Sequence, residues 1–202
     1  MEYDLLEEPI ITIQPRLGGT QSRTLPGVLA ALARAELVGF PALQVFQEHA
    51  WYAFLVQLAA LARLHGGVRG SPTDEVSWKN GLRALTANAA EPWCLVVEDA
   101  EQPAFLQPPA PKGLAEFSKV FSTPDEIDVL VTAKNHDVKL ARLMRPRPEH
   151  WAFALASIQT TGGYGGSGNY GVSRMNGGYG SRPGVSAVTS LDWSTRWRHA
   201  SG

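Results

Sequence analysis

The sequence predicts a mixed α/β (α+β) fold: one globular domain over residues 1–202 with a long glycine-rich loop in its C-terminal half. Three observations predict it. Hydrophobic residues make up 44% of the 202 positions and charged ones 18%, enough apolar surface to bury a core. Short β-branched runs bounded by turn residues alternate with longer stretches of helical apolar spacing. The stretch Thr160–Gly184, TTGGYGGSGNYGVSRMNGGYGSRPG, holds ten of the twenty glycines, three tyrosines, two arginines and no acid.

Taken in order, Leu5-Leu6 and Pro9–Ile13 read as an opening strand, followed by a turn at Leu17-Gly18-Gly19. Thr24 is an N-cap and Pro26 a first-turn residue for a helix over Leu25–Glu36. A longer helix is expected over Ala42–Leu64, where Leu43, Phe46, Ala50, Phe54, Leu58 and Leu61 recur at helical spacing and Gly66-Gly67 stops it. Residues 68–92 give a loop and a short helix around Val76–Leu85, capped by Asp74 or Ser71. A strand at Leu95–Glu98 precedes the proline cluster Gln102–Lys112, which excludes regular structure. Pro124 and Asp125 open a polar turn before Ile127–Val131. Trp151–Gln159 reads as a buried helix or strand, and Val185–Trp193 alternates like a strand.

The net charge of −1 conceals a division of the domain. Residues 1–111, the helix-rich part, carry seven basic and twelve acidic side chains, whereas residues 129–202, the loop-rich part, carry nine basic and three acidic. A basic half that also holds the glycine segment points to an anionic partner, and nucleic acid is the commonest. Glycine lets bare backbone approach another surface, and successive free N–H groups form anion-binding concavities. Pure composition also allows a flexible surface loop.

Catalytic signals are sparse. No phosphate-loop motif is present, and Gly166, Gly168 and Gly171 fit G-x-G-x-x-G without a surrounding βαβ unit. The five histidines are scattered and one cysteine cannot make a zinc site, so neither metal nor cofactor is expected. Cys94 sits in an apolar run, reads as a buried thiol, and suggests a reducing, cytoplasmic setting. The acidic start is no signal peptide, and Gln57 and Arg63 interrupt the apolar stretch 50–64, so no membrane is expected. His136-Asp137 resembles half of a general-base pair, but Asn135, His136 and Asp137 serve equally as local backbone caps. Lys134, Lys139, Arg142, Arg145 and Arg147 make residues 134–150 a net positive strip suited to phosphate.

These pieces occur in a telling order. Leu5-Leu6 with Pro9-Ile10, an Ala/Leu-rich helical region, Pro103-Ala104-Phe105-Leu106-Gln107, the loop Thr132–Lys139 and the string Ser173-Arg174-Met175-Asn176-Gly177-Gly178 resemble the N-terminal part of CasA. CasA is the large subunit of the type I-E CRISPR surveillance complex, Cascade. The resemblance implies a non-catalytic subunit that recognises the protospacer-adjacent motif of double-stranded target DNA and helps open the duplex for the guide RNA. It implies other Cascade subunits and a recruited helicase–nuclease as partners.

By position, Lys134, Asn135, His136 and Lys139 would match the loop that docks at the guide RNA 5′ end. Gly163, Gly165, Gly166, Asn169, Tyr170, Ser173, Arg174, Asn176, Gly177, Gly178 and Arg182 would match the minor-groove region. A narrow groove with a degenerate acceptor pattern suits glycine backbone, with Arg174 and Arg182 on phosphate or groove and Asn169 and Asn176 on base edges. The chain departs from the family in lacking its glutamine-containing wedge and its C-terminal four-helix bundle. Two rival readings remain: a small enzyme whose glycine loop closes over a phosphorylated substrate with His136 as base, and an interaction module whose glycine segment orders on binding.

Overall fold

A computed structural model describes residues 2–117, 120–127, 143, 145–161 and 190–201. In chain order these form β1 (Glu2–Asp4), β2 (Ile11–Pro15), β3 (Gln21–Arg23), α1 (Leu25–Ala33), β4 (Leu37–Gly39), α2 (Glu48–Leu64), α3 (Glu75–Leu85), β5 (Cys94–Val96), α4 (Pro148–Thr161) and α5 (Trp193–Ser201). Among the described residues the fold is therefore mixed α/β, with five α-helices and two small antiparallel sheets around one core.

Helix α1 explains the arrangement. Its run from Leu25 to Leu32 is buried at every position, so no face is left for water and neighbours must cover it all round. Helices α3 and α5 pack on it, and β2, β3 and β4 reach it from the sheet side. Thr24 caps its start as expected, its hydroxyl accepting the Gly27 N–H at 3.0 Å. The helix ends at Ala33 rather than Glu36. Ala35 takes φ 60°, the Ala35 N–H donates to the Leu32 carbonyl (3.1 Å), and the Glu36 N–H donates to that of Ala31 (3.0 Å). This is a Schellman closure with alanine in the usual glycine place, and it turns the chain into the unforeseen strand β4.

The larger sheet has the order β3–β2–β4, with Ile11 opposite Arg23, Ile13 opposite Gln21, and Pro15 opposite Leu37. Ile11 and Ile13 point into the core, while Gln14 faces solvent, the alternation of a half-buried strand. The smaller sheet pairs Glu2 with Val96 and Asp4 with Cys94. Leu5-Leu6, expected as strand, form a buried turn instead. The Asp4 carboxylate accepts the Leu6 N–H (2.8 Å), and its carbonyl takes the Glu8 N–H (2.7 Å), which bends the chain out of the sheet. Cys94 is buried and free, its thiol pushed up by burial and by the nearby Asp4 charge.

Helix α2 begins later than its spacing suggests, because Val45–Gln47 make a 3-10 turn first. Its buried stripe runs through Ala50, Trp51, Leu55, Leu58, Ala59 and Ala62, leaving Leu61 exposed. It stops at His65, with Gly67 at φ 73°. Asp74 rather than Ser71 caps α3, accepting the Ser77 N–H at 2.7 Å. Helices α2 and α3 meet where two glycines allow it: a Cβ on Gly66 would lie 2.3 Å from the Gly81 carbonyl oxygen. A Cβ on Gly81 would lie 2.1 Å from Val68 Cγ2.

The core is aromatic at its C-terminal side. Phe40 meets Trp193 at 4.9 Å between ring centroids and Trp51 at 5.9 Å, Trp51 meets Phe153 at 4.8 Å, and Trp78 meets Trp197 at 6.0 Å. Trp193 thus opens a helix and does not close a strand. Asp192 starts that helix by accepting the Thr195 N–H (2.8 Å), and Trp193 and Trp197, one turn apart, both face inward. Residues 185–189 lie outside the described residues.

Candidate nucleic-acid interface

The basic-segment candidates Lys134, Asn135, His136 and Lys139 lie outside the described residues, as do all eleven glycine-segment candidates from Gly163 to Arg182. What the structure describes is the frame at the roots of the two segments. The described chain reaches a 3-10 turn at Pro124–Ile127 and, apart from residue 143, is described again from Arg145, just before α4. Residues 162–189 follow the last residue of α4, and the chain resumes at Ser190 before α5. Helix α4 has 14 residues, so its ends stand about 21 Å apart. It reads as helix, settling the helix-or-strand alternative for Trp151–Gln159, and buries Ala152, Phe153, Ala154 and Ala156.

At the N-terminal end of α4, Glu149 is 1% exposed. Its carboxylate accepts the Thr12 N–H at 2.7 Å and the Thr12 hydroxyl at 3.1 Å, and it pairs with the Arg147 guanidinium. Thr12 is on β2, so one acidic side chain ties the sheet, the helix start and the basic stem together. The position suits a carboxylate, since the first turn of a helix presents unpaired N–H groups and positive potential. His150 completes the cap, its Nδ1 accepting the Arg147 N–H at 2.9 Å. Arg145 is exposed and has no partner among the described residues.

At the C-terminal end, the Gln159 amide donates to the Leu106 carbonyl at 2.9 Å. The motif Pro103–Gln107 is thereby given a structural task. Ala104 and Gln107 exchange backbone hydrogen bonds at 3.1 and 3.0 Å, and the Phe105 N–H donates to the Cys94 carbonyl at 2.8 Å. The buried Phe105 ring sits edge-on to Phe54 at 5.7 Å. Leu106 takes φ 53°, a strained value for a bulky side chain that this set of bonds holds in place.

The root of α5 is pinned as firmly. Burial works against the Asp192 carboxylate, but the Thr195 hydroxyl and N–H and the Arg16 guanidinium (2.5 Å) hold its carboxyl below the usual range. The Ser194 hydroxyl donates to the Leu37 carbonyl at 2.7 Å and accepts the Leu37 N–H at 3.2 Å. Arg196 is 8% exposed, its guanidinium 4.1 Å from the Trp193 ring and 4.9 Å from that of Tyr52, and paired with Glu48 at 2.7 Å. This arginine belongs to the core. It is one of the nine cations counted for the basic part of the chain, so the sequence overstates the charge there that is free to face a ligand.

Two other features bear on chemistry. A cleft of about 350 Å³ between the end of α2 and the start of α3 is lined by Gly66, Gly67, Arg69, Ser77 and Asn80, among others, and no acid or imidazole. Among the described residues no three His, Cys, Asp or Glu side chains gather as metal ligands, and no helix is long and apolar enough to cross a membrane. Buried Glu149 escaped the sequence reading because its partner Thr12 is 137 positions away. No family model, curated protein or solved structure matches the chain.

Proposed function

We propose that this chain is a non-catalytic, nucleic-acid-binding large subunit of a CRISPR surveillance complex. In this reading it contacts the guide RNA 5′ end through Lys134–Lys139 and the protospacer-adjacent motif of duplex DNA through Gly163–Arg182. It works in the cytoplasm with other Cascade-like subunits and a recruited helicase–nuclease. The glycine segment carries the reading: ten glycines with Arg174, Arg182, Asn169 and Asn176 and no acid make it rich in bare backbone and cationic, the composition a minor groove admits. The ordered resemblance to CasA supplies the biological setting.

The frame supports the reading at one further point. Both segments are rooted on α4, whose ends are about 21 Å apart, roughly six base-pair steps of duplex. A well-anchored helix of that length can hold two contacts to one nucleic-acid assembly at fixed separation. No bond is made or broken by this chain; recognition rests on charge, shape and backbone hydrogen bonding.

Co-expression with a guide RNA and Cascade-like subunits tests the proposal. The chain is expected to co-purify with the RNA, and Arg174→Ala with Asn176→Ala is expected to weaken target-duplex binding by the complex about tenfold or more while the RNA is retained. A chain that joins no such complex, or a double variant that binds target normally, would overturn it.

A further inference from the structure

We propose that His150 and Asp125 form a pH-sensitive latch on the stem at residues 145–148: neutral His150 closes the Arg147 backbone cap, and protonated His150 leaves it for the Asp125 carboxylate. The latch does not depend on the identity of any ligand.

The imidazole holds one partner, and an unsatisfied carboxylate oxygen lies on the turn that packs against its helix. In the structure His150 Nδ1 accepts the Arg147 N–H at 2.9 Å, which only an imidazole unprotonated at that nitrogen can do. Asp125 is 3% exposed and lies in the 3-10 turn Pro124–Ile127, which packs on α4. Its Oδ1 accepts the Gln44 amide at 3.0 Å, while its buried Oδ2 has no hydrogen-bond partner. An unsatisfied buried carboxylate oxygen is unfavourable, and a newly charged N–H donor is the group that relieves it.

Among the described residues, the charges bearing on His150 are Glu149 and Arg147 from its own segment and Asp125 from the facing turn. Glu126, beside Asp125, is turned to the Ser122 N–H and the Thr123 hydroxyl. Glu149 is held by Thr12 and Arg147, so the open acceptor is Asp125 Oδ2. Burial pushes the imidazole below its ordinary 6.5, Glu149 raises it, Arg147 lowers it and Asp125 raises it. With the folded value depressed, the unfolded chain binds the proton more readily. The cap's contribution is therefore complete above the ordinary value and is lost as pH falls through the depressed one.

Hydrogen exchange of the Arg147 amide in the full-length chain, corrected for intrinsic rate and read between pH 7.5 and 5, tests the latch alongside NMR titration of His150. Wild type is expected to lose about tenfold in Arg147 protection across that range, and His150→Gln, which keeps an acceptor at the same helix position, is expected to hold it constant. Asp125→Asn is expected to depress the His150 titration further. Protection that does not change with pH in the wild type, an equal loss in His150→Gln, or a His150 titration unmoved by Asp125→Asn would each overturn the proposal. The wild-type measurement stands alone should Asp125→Asn fail to fold.

Discussion

Single residues set the ends of elements here, and their effects are separable. Ala35 holds φ 60° to close α1. The left-handed region costs a residue with a Cβ about 1 kcal/mol, so Ala35→Gly is expected to stabilise the protein by about that amount in urea unfolding, with an unchanged m-value. Glu149 does the opposite service. Removing its carboxylate leaves the Thr12 N–H at a part-buried site without an acceptor, and Glu149→Ala is expected to lower stability by about 2 kcal/mol. Glu149 acts through a partner 137 positions away, which local sequence does not display. Thr24 and Asp74 were legible because a cap is a short-range device, three residues from donor to acceptor. Ala35 was not, since alanine gives no sign of a positive φ, and Leu5-Leu6 misread as strand because the Asp4 hydrogen bonds that bend the chain leave no hydrophobic signature.

At the scale of elements, the close meeting of α2 and α3 and the docking of α5 carry the fold. A methyl group added at Gly81 has Val68 Cγ2 in its way, so Gly81→Ala is expected to destabilise by about 2 kcal/mol in thermal unfolding. Helix α5 delivers Trp193 and Trp197 to the core from the far end of the chain. Trp197→Ala is expected to cost about 3–5 kcal/mol, measured by denaturant titration. The first of these tryptophans looks, in sequence, like the close of a strand. Only the Asp192 cap and the one-turn spacing reveal a helix, and Arg196 within it proves a core residue stacked on Trp193 and Tyr52. The helices with strong caps and uniform apolar runs were readable; three-residue strands such as β4, defined by pairing partners rather than by pattern, were not.

For the whole molecule, the described residues form a frame whose helix α4 is tied to β2 through Glu149 and to the Pro103–Gln107 turn through Gln159. The two segments that composition marks as ligand-facing are rooted at its opposite ends. The candidate contacts themselves were read from residue type and order, because glycine backbone and scattered Arg and Asn carry their meaning in sequence, whereas the anchoring beneath them appears only in three dimensions. The central claim is that the glycine segment binds a nucleic-acid duplex. Its most direct test is the affinity of the full chain for a labelled duplex as salt is raised, for the wild type and for Arg174→Ala with Asn176→Ala. The account predicts a linear fall of log affinity with log salt, and a double variant that binds about tenfold more weakly with a slope shallower by about one. Absence of duplex binding at low salt, or a double variant with the affinity and slope of the wild type, would contradict it.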